Sequence, residues 1–219
     1  MLVPSAGPDS WRAFLAKPDL HWAVGYSART LAHSWEAANG VPPEIAEVLS
    51  PAVGTIEPLI VVPEHKTALP GGRRESQSDV FLLARHANGT VACTIEGKVD
   101  EPFGPTVGEQ MCGASDGQME RMAYLCERLG LATCPEDIHY QLLHRTVSAL
   151  IEADRFDARD AAMIVHSFSR TNRRFDAFAS FVQLLGGEEP TPGHPVVISL
   201  LARRIILGWA IGDQRFREL

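Results

Sequence analysis

The sequence predicts an α/β protein. Its centre is a mixed sheet made of a three-strand meander, a helical crossover and a fourth strand, flanked by helices and followed by a C-terminal extension. Three observations predict this. Ser78 to Glu101 (SDVFLLARHANGTVACTIEGKVDE) reads as two strands joined at Asn88-Gly89, the strongest short-range hairpin signal. Two compact apolar runs, Pro58 to Val62 before it and Ala161 to Phe168 after it, read as buried strands. Between and around them lie stretches with apolar residues at helical spacing. A length of 219 residues suits a single domain, with a core at about 19–168 and an elaboration at about 169–219.

In chain order, Met1 to Asp19 is a short Pro-containing arm. Asp19 to Ala38 carries Val24, Ala28, Leu31 and Trp35 as a helical stripe and stops at Asn39-Gly40. Glu44 to Leu49 is a short second helix after Pro42-Pro43, and Pro58 to Val62 is the first strand. His65 to Gln77, with Pro70-Gly71-Gly72, is predicted as a loop. After the hairpin, Phe103-Gly104-Pro105 breaks the strand, and Thr106 with Glu109 forms a capping box for a short helix. Asp116 to Leu129 and Asp137 to Ala153 are amphipathic helices leading to the fourth strand. Phe175 to Leu185 is a helix closed by Gly186-Gly187; Val196 to Leu201 and Ile205 to Ile211 are strands or a helix–strand pair.

If Asn88 and Gly89 are the turn residues, Ala87 pairs with Thr90 and Asp79 lies opposite Lys98. Side chains alternate between faces, so Asp79, Glu96 and Lys98 share one face, while Val80, Leu82, Ala84, Val91, Cys93 and Ile95 form a core-facing strip.

Composition narrows the function. The chain is 45% hydrophobic and 21% charged, as in an ordinary globular protein. The longest apolar run, Pro195 to Ile211, is interrupted by Arg203-Arg204 and is too short and too charged to span a bilayer. No basic-then-apolar segment opens the chain, and four cysteines without a CxxC pair fit reduced thiols, which together predict a cytoplasmic protein. A net charge of −7 argues against gripping a long stretch of nucleic acid, although Arg73-Arg74, Arg170 to Arg174 and Arg203-Arg204 could form local positive patches. With 17 Arg against three Lys, a Lys two places after a Glu hints that a compact ammonium is wanted there.

That pattern occurs twice. Glu96-Gly97-Lys98 ends the hairpin with Asp79 on the paired strand, whereas Glu64-His65-Lys66 leads into the Gly-rich stretch and has no such partner, so it reads as a decoy. Two convergent carboxylates offer hard oxygen ligands for Mg²⁺, and a Lys beside them can orient a water and offset charge on phosphorus. Read blandly, the three residues are an ion-paired strand face.

An acid-bearing helix, a first strand, Asp79 on a second, Glu96-x-Lys98 on a third, then helices and a fourth strand resembles the PD-(D/E)XK phosphodiesterase superfamily, with its restriction-endonuclease-like fold. The stretch EGKVDEPFG is also similar to bacterial domains of this general type, for which the resemblance implies fold more than activity. The resemblance implies metal-dependent nuclease chemistry on a nucleic-acid phosphodiester. Asp79 and Glu96 would hold Mg (or Mn), Lys98 would position the water, and Glu36 would be the accessory helix acid. Ser78 rather than Pro precedes Asp79, and Gln118 and Tyr124 do not have the Gln-x-x-x-Tyr spacing. One alternative is a non-catalytic binding or interaction module, with a protein partner or self-association through the C-terminal apolar segment; another is an enzyme acting on a small phosphorylated metabolite, which fits the net charge of −7 better than a DNA enzyme does.

The remaining polar groups are secondary. Arg170, Arg173 and Arg174 read as a solvated helix start or a phosphate-binding cluster; His139 and His144 are poorly spaced for zinc. His166-Ser167, at the end of the fourth strand, could reach a pocket there.

Overall fold

A computed structural model describes residues 5–15, 18–72, 74–200 and 203–219. Arg73, Leu201 and parts of the N-terminal arm (1–4, 16 and 17) lie outside the described residues. The fold is mixed α/β. Six strands, β1 (Glu57–Thr67), β2 (Ser76–His86), β3 (Gly89–Lys98), β4 (Asp160–Ser167), β5 (Pro195–Leu200) and β6 (Arg203–Ile211), form one sheet in the order β1-β2-β3-β4-β6-β5. The first three form an antiparallel meander; β4 runs parallel to β3, β6 parallel to β4, and β5 antiparallel to β6. Both apolar segments of the C-terminal fifty residues are therefore strands, and they extend the central sheet.

The helices are α1 (Pro18–His21), α2 (Ser27–Ala38), α3 (Pro43–Val53), α4 (Val107–Met111), α5 (Asp116–Leu129), α6 (Tyr140–Arg155) and α7 (Phe175–Leu184). The helix expected from Asp19 splits into α1 and α2 because Gly25 adopts a positive φ of 80° between them. Thr106 caps α4 in the predicted box with Glu109, and Ser115 with Gln118 does the same for α5.

Strand alternation feeds two cores. Val80, Leu82, Cys93, Ile95 and Ile164 face Leu31, Trp35, Ile45 and Leu49 of α2 and α3. Phe81, Leu83, Ala92, Met163 and Trp209 face the other layer, which holds Leu125, Leu143, Val147 and Phe181 of α5 to α7. Every residue of β4 is buried, as a parallel strand covered on both faces must be. Among the described residues, no helix is long and apolar enough to cross a membrane.

Two local expectations change. The sheet continues into the segment predicted as a loop from His65: His65 pairs with Ser78 and Thr67 with Ser76, while Thr67 Oγ1 donates to buried Glu152 of α6 at 2.8 Å. The hairpin register is also shifted by two. Phe81 lies opposite Thr94 rather than Glu96, and His86 opposite Gly89, so Ala87-Asn88 is the turn. Neither turn residue has a positive φ, which excludes the I′ type. Gly89 combines a φ of 147°, which a residue with a side chain rarely adopts, with close packing: a Cβ there would lie 3.0 Å from Cβ of Arg159, whose guanidinium donates to the Asn88 carbonyl at 3.1 Å. A shift of two preserves parity, so the faces stay as predicted.

Candidate functional site: a row of carboxylates at the strand ends

Pro63 pairs with Val80 and His65 with Ser78, so Glu64 stands across from Asp79. Val80 pairs with Ile95, so one step further Asp79 stands across from Glu96. Three strands thus bring three carboxylates into one row. Like charges in cross-strand positions are destabilising, so the row is held against electrostatic cost. Glu64 also sits at φ 53°, a left-handed conformation that is unfavourable for a residue with a side chain. All three, with Lys98, line a cleft of about 930 Å³.

Each carboxylate is treated differently. Glu96 is buried and saturated: Oε1 accepts from Lys98 Nζ (2.8 Å) and Gln141 Nε2 (2.7 Å), and Oε2 from Arg145 Nε (2.6 Å). Burial alone would raise its pKa, but Lys98 and Arg145 outweigh that and hold it at about 2. Asp79 accepts the backbone N–H of Gly97 at Oδ2 (2.7 Å). Burial and then the charge of Glu96 push Asp79 up to about 7. Glu64 accepts from Gln77 Nε2 at 2.6 Å, and burial followed by the Asp79 charge raises it to about 8. Glu64 and Asp79 are the under-neutralised members of the row.

Behind Glu96 the network continues through α6. Arg145 Nη1 donates to Ser76 Oγ at 3.0 Å, and Ser76 Oγ shares a 2.9 Å hydrogen bond with His144 Nδ1. Burial, then the charge of Arg145, lowers the His144 pKa well below its usual range. Lys98 Nζ also lies 5.2 Å from the ring centre of Phe103, which fixes its direction.

Asp79, Glu96 and Lys98 are therefore brought together. Other candidates are elsewhere. Glu36 does not line the cleft; it accepts from Trp11 Nε1 at 2.7 Å and from Ser5 Oγ, so the N-terminal segment sequesters it. The three arginines after β4 do not reach the cleft either. Arg170 pairs with Glu218 at 3.1 Å, the Arg173 backbone N–H donates to Ser169 Oγ, and Arg174 takes φ 74° to start α7. Arg203 pairs with Asp154 and Arg204 with Asp160. His166 is buried against Glu44 of α3 at 2.8 Å, away from the cleft. His139 makes a hydrogen bond with the Gly104 carbonyl.

Three site residues escaped the sequence reading. Gln141 and Arg145 sit four apart on the crossover helix, one turn of a common face, and that spacing was available as a signal. Glu64 belongs to the tripeptide set aside as a decoy, and only the β1 register brings it into the row.

The donor chemistry fits a divalent cation in part. Glu64 and Asp79 supply hard oxygens whose repulsion a cation would relieve, and Mg²⁺ needs only one or two carboxylates with water completing its shell. Glu96, predicted as a ligand, has both oxygens engaged by donors. Among the described residues, no group of three or more His, Cys, Asp or Glu could by itself hold a metal ion.

A family model described as "Domain of unknown function (DUF6946)" matches residues 4–214. No curated protein and no solved structure matches the chain.

Proposed function

The chain belongs to the DUF6946 family, and from the geometry of its cleft we propose that it is a Mg- or Mn-dependent phosphodiesterase of the PD-(D/E)XK nuclease type. One observation carries this: Glu64, Asp79 and Glu96 stand in one row across three strands, with Lys98 two residues beyond the last. The meander followed by a helical crossover to a parallel fourth strand supports the same assignment.

Glu64 and Asp79 would hold the cation. When bound, it supplies Lewis-acid stabilisation of a phosphoryl oxygen and lowers the pKa of a water. The residues of the chain do the positioning. The Gly97 N–H fixes the Asp79 carboxylate. Glu96 acts as an anchor, orienting Lys98, Arg145 and Gln141 along one wall of the cleft. Lys98 is the donor that would orient the attacking water, and Arg145 would offset charge building on phosphorus.

A second assignment, a non-catalytic binding module on this fold, is favoured by the saturation of Glu96. Thermal denaturation with and without Mg²⁺ or Mn²⁺ separates the two. A melting-temperature rise that disappears in Asp79→Asn supports the phosphodiesterase; no rise in the wild type favours the module.

A further inference from the structure

Beside the acidic row, a chain of hydrogen bonds ends in a donor that the protein itself does not use. Gln141, His144 and Arg145 stand at positions i, i+3 and i+4 of α6, so they share one face, and all three line the cleft. Gln141 and Arg145 spend their donors on Glu96. His144 is half-buried, and its ring lies 5.0 Å from that of Tyr140 one turn earlier.

The directions of these bonds fix the tautomer of His144. A guanidinium carries donors and no acceptor. Arg145 Nη1 lies 3.0 Å from Ser76 Oγ and 3.4 Å from His144 Nδ1, so both atoms present lone pairs to it. Ser76 Oγ has one proton to give, and Nδ1 is 2.9 Å away. Nδ1 is therefore an acceptor, and the neutral ring carries its proton on Nε2. Burial, and then the same guanidinium, keep the ring neutral. Every hydrogen bond of the ring to a described residue is made at Nδ1, which leaves the Nε2–H without a partner among them.

Another cation of the cleft, Arg121 of α5, is committed to backbone. It donates from Nε to the Pro70 carbonyl at 2.9 Å and from Nη2 to that of Leu69 at 3.3 Å, pinning the β1–β2 connection to α5. Gly71 admits this contact, since a Cβ there would lie 2.2 Å from the Gly117 carbonyl oxygen.

We infer that His144 binds substrate: its Nε2–H, aimed by Arg145 and Ser76, donates to a non-bridging oxygen of the phosphodiester. This assignment rests on the phosphodiesterase proposal above. A neutral N–H gives the anionic oxygen a directed hydrogen bond and adds no charge beside Arg145 and Lys98.

Two substitutions separate this role from a structural one. His144→Gln can place an N–H where Nε2 stands. His144→Asn keeps an oxygen where Nδ1 stands, for the Ser76 hydroxyl, and loses the outer donor. The probe is bis(4-nitrophenyl) phosphate, titrated in Ca²⁺ and followed by NMR. At pH 7, proton–nitrogen correlation spectra of the wild type should show the Nε2–H tautomer of His144, and its Nε2 resonance should move as the probe binds. His144→Asn should weaken binding roughly ten- to 100-fold, with His144→Gln within about threefold of wild type. An Nδ1–H tautomer, an imidazolium, an unmoved Nε2 resonance or no binding by the wild type overturns the inference. So does a loss in His144→Gln that matches or exceeds the loss in His144→Asn, which is the order a structural role gives. Turnover of the same compound in Mn²⁺ is measured in parallel. Binding that depends on His144 without turnover overturns the phosphodiesterase proposal alone. Turnover with His144→Asn binding and reacting like wild type overturns the His144 assignment alone.

Discussion

The Arg145 guanidinium lies 2.6 Å from the Glu96 carboxylate, joining the crossover helix α6 to the end of β3 at the base of the cleft. The pair ties the helical layer to the acidic row. Removing Arg145 leaves Glu96 with Lys98 as its remaining cation. Arg145→Ala should destabilise the protein by roughly 2–4 kcal/mol, read by urea denaturation. A normal midpoint would show that the pair is not structural.

The same variant changes the acid limb of the stability curve. The folded pKa of Glu96, about 2, lies below its ordinary value of 4.5. Its contribution is therefore full above about pH 4.5 and is lost as pH falls toward 2. In Arg145→Ala the folded pKa rises, so less of this acid-labile stability remains to lose over that window. Denaturant titrations at pH 3, 4, 5 and 6 should show a shallower slope for the variant.

Asp79 has the opposite sign. Its folded pKa of about 7 exceeds the ordinary 3.8, so ionisation costs stability progressively as pH rises from about 4 to 7, and the penalty is complete above that. Asp79→Asn keeps an oxygen for the Gly97 N–H and removes the charge. At pH 8 without metal, it should be more stable than wild type by roughly 1–2 kcal/mol, or about 2–8 °C in Tm. At pH 4 the difference should vanish.

Protons and a cation compete for the same two carboxylates. With Asp79 at about 7 and Glu64 at about 8, Mg²⁺ affinity should climb steeply between pH 6 and 8 and level off above. Calorimetry in buffers of different ionisation enthalpy should record proton release on binding at pH 7. Binding that is flat over this range would remove Glu64 and Asp79 as the ligands.

Gly71 combines a φ of 72° with the close approach to Gly117. Gly71→Ala should detach the β1–β2 connection from α5, at a cost of about 1–3 kcal/mol. Hydrogen exchange should accelerate over the first turn of α5 and leave the core of β4 protected.

The sheet was largely legible in the sequence because hairpin chemistry, strand composition and capping boxes are local. Thr106 with Glu109 and the common face of Asp79, Glu96 and Lys98 follow from spacing alone. Gly89 looked like the second turn residue because Asn-Gly normally forms one; it instead opens β3 at a φ of 147° and packs against Arg159, seventy positions away, which the local pattern does not contain. Glu36 sits near a predicted apolar stripe, and nothing local reveals that Trp11 and Ser5 claim its carboxylate. Glu64 enters the row through the β1–β2 register, a long-range pairing across a Gly-rich connection.

The left-handed backbone at Glu64 has one more consequence. β1 is an outer strand of the sheet, and its outward edge is interrupted by Pro58, a bulge before Ile60, Pro63 and then Glu64. Proline withholds its donor, and a positive φ turns the next carbonyl off the ladder direction, so a foreign strand finds no continuous template there. The conformation that turns an acid into the cleft thus also guards this border against aggregation, and leaves β5 as the margin by which the sheet could grow.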